Sequence, residues 1–195
     1  LALVPRIGFS LFPEADVPMF RIEVEAPDGS SIEETDRAVR FAEGVLAKHP
    51  EISRVAANAG HGNPQIYYNV RPEDQKSHVG ELFVQLHDYE PATTPALLDA
   101  IRADLAAYPR AKLRLERFQN GPPIDAPIEM RVFSEDLEGL RVLSSKVAAV
   151  IEDTPGAIYV DDPLRVTKTD LAVRVDAEQA GRLGVPEIEV KNGVR

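Results

Sequence analysis

Between Phe20 and Ala26 apolar and polar residues alternate without a break, with Phe20, Ile22, Val24 and Ala26 on one side and Arg21, Glu23 and Glu25 on the other. A period of two describes a strand with one face in a core and the other toward water. Pro27-Asp28-Gly29 ends the alternation. Ser30 and Ser31 ahead of Glu33 and Glu34 then offer two overlapping capping boxes, in which hydroxyl and carboxylate satisfy the N–H groups that open a helix. A strand that turns directly into a capped amphipathic helix needs further strands to complete its sheet, so the rest of the chain is read against that requirement.

The helix is expected from Ser31 to Lys48, with Ile32, Ala38, Val39, Ala42, Val45 and Leu46 on one face and His49-Pro50 as its stop. Ile52 to Ala59 reads as a short strand with Ile52, Val55 and Ala57 inward. A glycine-rich loop, Gly60 to Pro64, follows, then a β-prone run from Gln65 to Val70 and a polar excursion from Arg71 to Gly80. Glu81 to Tyr89 alternates again, Leu82, Val84 and Leu86 on one face and Phe83, Gln85 and His87 on the other. Thr94-Pro95 starts a second helix, since proline at the first helical position forfeits no needed N–H. Lys112 to Phe118 is a last strand, Leu113 and Leu115 inward. The order βαββαβ is that of the ferredoxin-like split βαβ motif, with two helices on one face of a four-stranded sheet.

Asn120-Gly121-Pro122-Pro123 is the clearest linker. Beyond it Ile128, Met130 and Val132 alternate as a strand. Ser134 stands at an N-cap position before a helix striped by Leu137, Leu140, Leu143, Val147, Val150 and Ile151. Ala157 to Val160 and Asp170 to Asp176 read as strands, Ala177 to Gly184 as a short helix, and Val185 to Arg195 shows no period. The fold class is therefore α+β, a ferredoxin-like βαββαβ unit followed by an incomplete second unit containing βαβ. The expected divisions are 1–11, an apolar lead-in; 12–121, the first unit; 127–182, the partial second; and 183–195.

With 195 residues and a formal net charge of -10, the chain is long enough for two small domains and carries the wrong sign for nucleic acid as a partner. It has no cysteine, and so neither disulfides nor thiolate chemistry. No apolar run approaches the ~20 residues of a membrane-spanning helix. His49, His61, His78 and His87 show no spacing that places two on one face, so no metal site is expected from them. There is no GxSxG turn, and Gly60-His61-Gly62 lacks both the third glycine and the following helix of a dinucleotide loop. No catalytic residues and no cofactor are expected.

Four phrases in order, the opening stretch from Phe12 to Thr35, GHGNPQIYYNV at 60–70, NGPPIDAPIEMRVF at 120–133 and DLAVRVDAEQAGRLGV at 170–185, resemble the second large periplasmic loop of the acriflavine-resistance type RND multidrug efflux pumps. The resemblance spans almost the whole chain. It implies that 12–121 is a porter subdomain, that 127–182 begins a second one, and that a docking-domain segment starts near 183. The apolar lead-in would then be the exit of a transmembrane helix, and the chain the periplasmic portion of an inner-membrane, proton-driven antiporter. The resemblance further implies a homotrimer working with a periplasmic adaptor and an outer-membrane channel, and small amphiphilic substrates.

By the same resemblance, the loop carrying His61, Asn63 and Gln65 is a switch beside the substrate path. The outward strand residues Glu23, Lys112, Arg114 and Glu116 face the cleft between subdomains, and Asn120, Gly121 and Pro122 form a hinge. The phenylalanine-rich switch of the drug pumps is absent, which makes the implied cleft charged. An alternative reading of the same elements is a soluble tandem ferredoxin-like module that binds a regulatory ligand.

Overall fold

The computed structural model describes residues 15–122, 126, 128–165, 174–184 and 186–193. The chain divides into two compact units, Leu1–Arg131 and Val132–Arg195.

In the first unit the elements run β1 (Met19–Glu25), α1 (Ile32–Leu46), β2 (Ile52–Ala59), β3 (Val79–Leu86), α2 (Thr94–Leu105) and β4 (Lys112–Arg117). They form an antiparallel-paired sheet of order β2-β3-β1-β4. Each helix links two strands that are not neighbours, so β3 fills the gap between β1 and β2, and β1 the gap between β3 and β4. This is the ferredoxin-like arrangement expected from the βαββαβ order.

The alternation of β1 is the reason the sheet has one dry face. Phe20, Ile22 and Val24 join Leu82, Val84 and Leu86 of β3 and Leu113 and Leu115 of β4 in one buried cluster. Ala38, Val39, Ala42, Val45 and Leu46 of α1 and Leu98, Ile101 and Leu105 of α2 close over it. Each large side chain removed from water in this way contributes roughly 1.5–3 kcal/mol before conformational entropy is charged against it. Phe41 and Tyr108, with ring centroids 4.9 Å apart, tie α1 to the end of α2.

Several local expectations are corrected. Ser31 precedes α1 as N-cap but makes no side-chain capping bond. Glu34 instead turns to Arg37 and Arg110, 2.9 Å away through Arg110 Nε, so an ion pair replaces the capping box. Ile32 is half exposed because it lies beyond the edge of the core. In β2 an irregularity between Ile52 and Arg54 shifts the register. Val55 lies opposite Val84, but at the sheet edge, where it stays 38% exposed. Gln65 to Val70 forms no strand; the run is a turn in which Val70 N–H donates to Tyr67 O (3.1 Å). Its Tyr67 ring packs against Phe118 at the end of β4, and the run has no ladder partner. The second helix begins one residue early, with Thr93 at the N-cap position but making no side-chain capping bond, and Pro95 inside its first turn.

In the second unit α3 (Leu137–Glu152) is capped by Asp136, whose carboxylate accepts from Gly139 N–H at 2.7 Å. Ser134 therefore sits two residues too early to be the cap, and its hydroxyl accepts from Asp136 N–H instead (3.2 Å). Asp162, buried, accepts from Ser144 Oγ (2.7 Å) and Leu164 N–H (3.0 Å), which fastens the 161–165 segment to α3. Asp176 caps α4 (Ala177–Arg182), and α5 (Glu187–Gly193) follows where no period was visible. Among the described residues this unit has no strand. Ile128 to Val132 and Ala157 to Val160 do not pair, and of Asp170 to Asp176 residues 170–173 lie outside the described residues. An alternating segment becomes a strand only against a partner ladder, and here Ile128, Met130 and Ile158 remain 59–75% exposed.

Candidate functional site

The face of the first sheet turned away from the helices is charged because β1 and β4 alternate and their polar residues fall in register. Arg21 lies opposite Glu116, Glu23 opposite Arg114 and Glu25 opposite Lys112; on the other side Glu23 lies opposite Glu81 and Arg21 opposite Phe83. Arg21 is the centre of the charge row. One guanidinium nitrogen is 2.6 Å from Glu23 Oε1 and another 2.5 Å from Glu116 Oε2. Arg114 pairs with Glu25.

Burial penalises the charge on Arg21, yet Glu23, Glu116 and Glu81 together outweigh that penalty and hold its pKa above the ordinary value. For Glu23 the balance falls the other way. Burial raises its carboxyl pKa, and the neighbouring Glu116 and Glu81 add to the rise against the opposing pull of Arg21 and Arg114. Glu23 thus carries a negative charge that burial and two neighbouring carboxylates disfavour. A positively charged guest would relieve that strain.

The Gly60 to His78 segment crosses the same face as a strap, touching Glu81 toward one end of the sheet and Phe118 at the other. Asn63, 5% exposed, donates its N–H to Glu81 Oε2 (3.0 Å), and Asn58 Nδ2 donates to Asn63 Oδ1 (2.5 Å). Gly62 is required here by space, since a Cβ would stand 2.8 Å from both Glu73 N and Glu81 Oε2. Farther along, Tyr67 lays its ring against Phe118 (centroids 4.8 Å), and Phe118 meets Phe83 at 6.3 Å. Asn69 Nδ2 donates to Gln119 O (2.9 Å) and Gly121 O (2.8 Å), and Gly121 N–H donates to the Tyr68 hydroxyl (2.7 Å). An open groove of about 410 Å³, lined by Gln65, Tyr68, Asn69, Arg71, Gly121 and Pro122, lies between strap and linker.

A family model matches the chain over residues 1–195, that of the AcrB/AcrD/AcrF family. The chain belongs to the AcrB/AcrD/AcrF family of RND transporters. It is 26% identical over its whole length to the cobalt-zinc-cadmium resistance protein CzcA of Cupriavidus metallidurans and 25% identical to the cation efflux system protein CzcA of an Alcaligenes species. It spans 19% of the length of each of these relatives. Two crystal forms of a heavy metal efflux pump share its fold. Form I has a TM-score of 0.62 at 21% identity over 96% of this chain and 20% of that one. Form II has 0.60 at 19% identity over 93% of this chain and 19% of that one.

Within this member of the AcrB/AcrD/AcrF family, Glu23, Arg114 and Glu116 come together on the outward face, and Lys112 stands exposed at its end. Asn63 is drawn in as well, as the buried end of the strap seated on Glu81. His61 turns to its own neighbour, Nδ1 2.7 Å from Gly62 O, and Gln65 bonds within the strap to Tyr68 O (3.1 Å). Asn120, Gly121 and Pro122 lie with the strap, away from the charge row: Asn120 Oδ1 accepts from the Tyr67 hydroxyl at 3.3 Å. Among the described residues no three His, Asp or Glu side chains converge as a metal cage, and no helix is long and apolar enough to cross a membrane.

Arg21, Glu81, Phe83 and Phe118 complete the face and were not singled out by sequence. Their signal was present, because the alternation that turns Glu23 outward does the same for Arg21, and that of β3 places Glu81 with Phe83.

Proposed function

We propose that the chain is the porter portion of the second periplasmic loop of a proton-driven RND exporter, and that the outward sheet face of its first unit lines the substrate path. The observation that carries this reading is the half-buried charge row Glu23–Arg21–Glu116, centred on Arg21 and flanked by Glu23, a carboxylate whose pKa burial raises, in a chain whose family is a transporter family. Such a face favours cationic cargo. Passage needs contacts weak enough to release, and carboxylates already shared with arginines give a cation a partner at little depth of binding. Metal cations are the first cargo class, in line with the names of the CzcA relatives. Small amphiphilic substrates are the second, favoured by the groove beside Tyr68 and Pro122.

In this reading 127–182 begins the second porter subdomain, 183–195 leads into a docking segment, and Asn120 to Pro122 is the hinge on which the cleft opens and closes. The intact exporter would be an inner-membrane homotrimer that hands cargo to an adaptor-linked outer-membrane channel. The chain does no chemistry of its own.

The test uses the full-length exporter in cells lacking other pumps, with growth scored on cobalt, zinc and cadmium salts and on cationic dyes. Glu23→Ala combined with Arg114→Ala is expected to lower resistance to the exported class with protein levels unchanged. Unaltered resistance to every compound that the parent pump exports would remove the outward face from the substrate path.

A further inference from the structure

Resting on the reading of Asn120 to Pro122 as a hinge, we propose that the strap is a two-ended latch that couples occupancy of the charged face to release of the hinge. One end is seated on the face, through Asn63 N–H on Glu81 and Asn58 on Asn63. The other end grips the linker: Asn69 holds the carbonyls of Gln119 and Gly121, Tyr68 takes the Gly121 N–H, and the Tyr67 hydroxyl reaches Asn120. Four bonds from three consecutive residues thus bind the start of the linker to the strap.

The two ends are close enough to pull on each other. Asn63 and Tyr67 are four residues apart, a reach of at most about 14 Å even when fully extended. Pro64 restricts the first step, and bonds from Gln65 Nε2 to Tyr68 O and from Val70 N–H to Tyr67 O close the rest into a turn. The Tyr67 ring on Phe118 sets the linker end against the residue that leads from β4 into the linker. A strap this short has little slack.

The seated end is also poised to leave. Asn63 Nδ2 is buried with no hydrogen-bond partner among the described residues, an unsatisfied group that opposes closure. The bond that holds the end down uses Glu81 Oε2, on the residue directly opposite Glu23. A cation drawn to Glu23 and Glu81 competes with the Asn63 N–H for that oxygen, and losing it loosens the strap and, through it, the linker. Coupling of this kind is reciprocal, so freeing the linker end must loosen the seated end by the same factor.

The test reads single-residue amide exchange by NMR on the 195-residue chain, each variant being read at the far end of the strap. Asn69→Ala cuts the grip on the linker and is read at the Asn63 amide; Glu81→Gln weakens the seat and is read at the Gly121 amide. Both distant amides are expected to exchange ~5-fold faster or more. Gln75→Ala, on the exposed part of the strap, leaves both unchanged, and the Ile22 amide in the sheet serves as a check that the fold is intact. If either distant amide keeps its parental rate, the ends are independent and the latch is refuted. Should Glu81→Gln fail to fold, the Asn69→Ala arm decides alone. The outcome is separable from the transport reading, because an exporter indifferent to Glu23 and Arg114 would leave these exchange rates as evidence for a latch of another purpose.

Discussion

Gly80→Ala tests how closely α1 is seated on the sheet. Gly80 is buried in β3 between Val24 of β1 and Ala59 of β2. A Cβ there would stand 2.9 Å from Asn58 O and 2.9 Å from Val39 Cγ2, with Thr35 Cγ2 at 3.4 Å. Val39 can yield by a rotamer change or a small shift of α1, but Asn58 O belongs to the backbone of β2 and moves only if the β2–β3 ladder gives way. Overpacking of this kind costs about 1–3 kcal/mol, and the reduced freedom of the unfolded chain returns about 0.4–1 kcal/mol. The net loss is about 1–2 kcal/mol. Urea unfolding followed by far-ultraviolet circular dichroism should show the midpoint falling by roughly 0.5–1 M with an unchanged slope. Gly44→Ala is the paired control. It lies inside α1 with nothing within 4 Å of its would-be Cβ, and helix propensity makes it stabilising by about 0.5–1 kcal/mol. The same substitution thus changes sign with its surroundings. A Gly80→Ala chain as stable as the parent would refute the argument, and so would full rescue by an added Val39→Ala, which leaves the Asn58 carbonyl in place.

Leu82→Ala, at a side chain with no exposure in the middle of the core, should cost about 3–5 kcal/mol in the same urea experiment, the upper part of the range because β1, β3 and α1 cannot collapse into the space. Glu23→Gln should alter a pH dependence. Because burial raises the folded-state pKa of Glu23 above the ordinary 4.5, the folded chain holds that proton to higher pH than the unfolded chain, so its contribution to stability falls as pH rises through the interval just above 4.5. Urea midpoints measured from about pH 4 to 7 should lose that downward component in the variant; parallel profiles would contradict it. Arg21→Met leaves Glu23, Glu81 and Glu116 facing one another without their shared cation, and should destabilise by about 1–3 kcal/mol at neutral pH and by less near pH 4, where Glu23, its pKa raised by burial, takes up a proton. An equal loss at both pH values would mean that packing of the arginine stem, and not charge, is what matters.

The first unit was legible because its signals are local and agree with one another. The alternation in β1, β3 and β4 names the buried residues directly, and the periodicity of α1 and α2 names the faces that cover them. What escaped is what depends on position within the finished sheet. Val55 has an inward parity yet stays partly exposed because β2 is an edge, and no residue within β2 announces that. Gln65 to Val70 has strand composition, but Tyr67 finds Phe118, some fifty residues away in sequence, before it finds a ladder, and a stacked ring ties the segment down as a strap. Ser31 and Glu34 satisfy the pattern of a capping box until Arg110, delivered by the end of α2, offers Glu34 a stronger partner. The candidate site shows the same division. The charge row could be read from parity alone, since Arg21 and Glu81 follow from the alternation that gave Glu23; the strap's hold on Glu81 and on Gly121 could not, because both bonds join segments whose proximity exists only after the sheet has closed. The proposed function of this unit therefore rests on two layers of information, a face written in the strand pattern and a fastening that only the fold creates. The second is the one a cation at Glu23 would have to disturb.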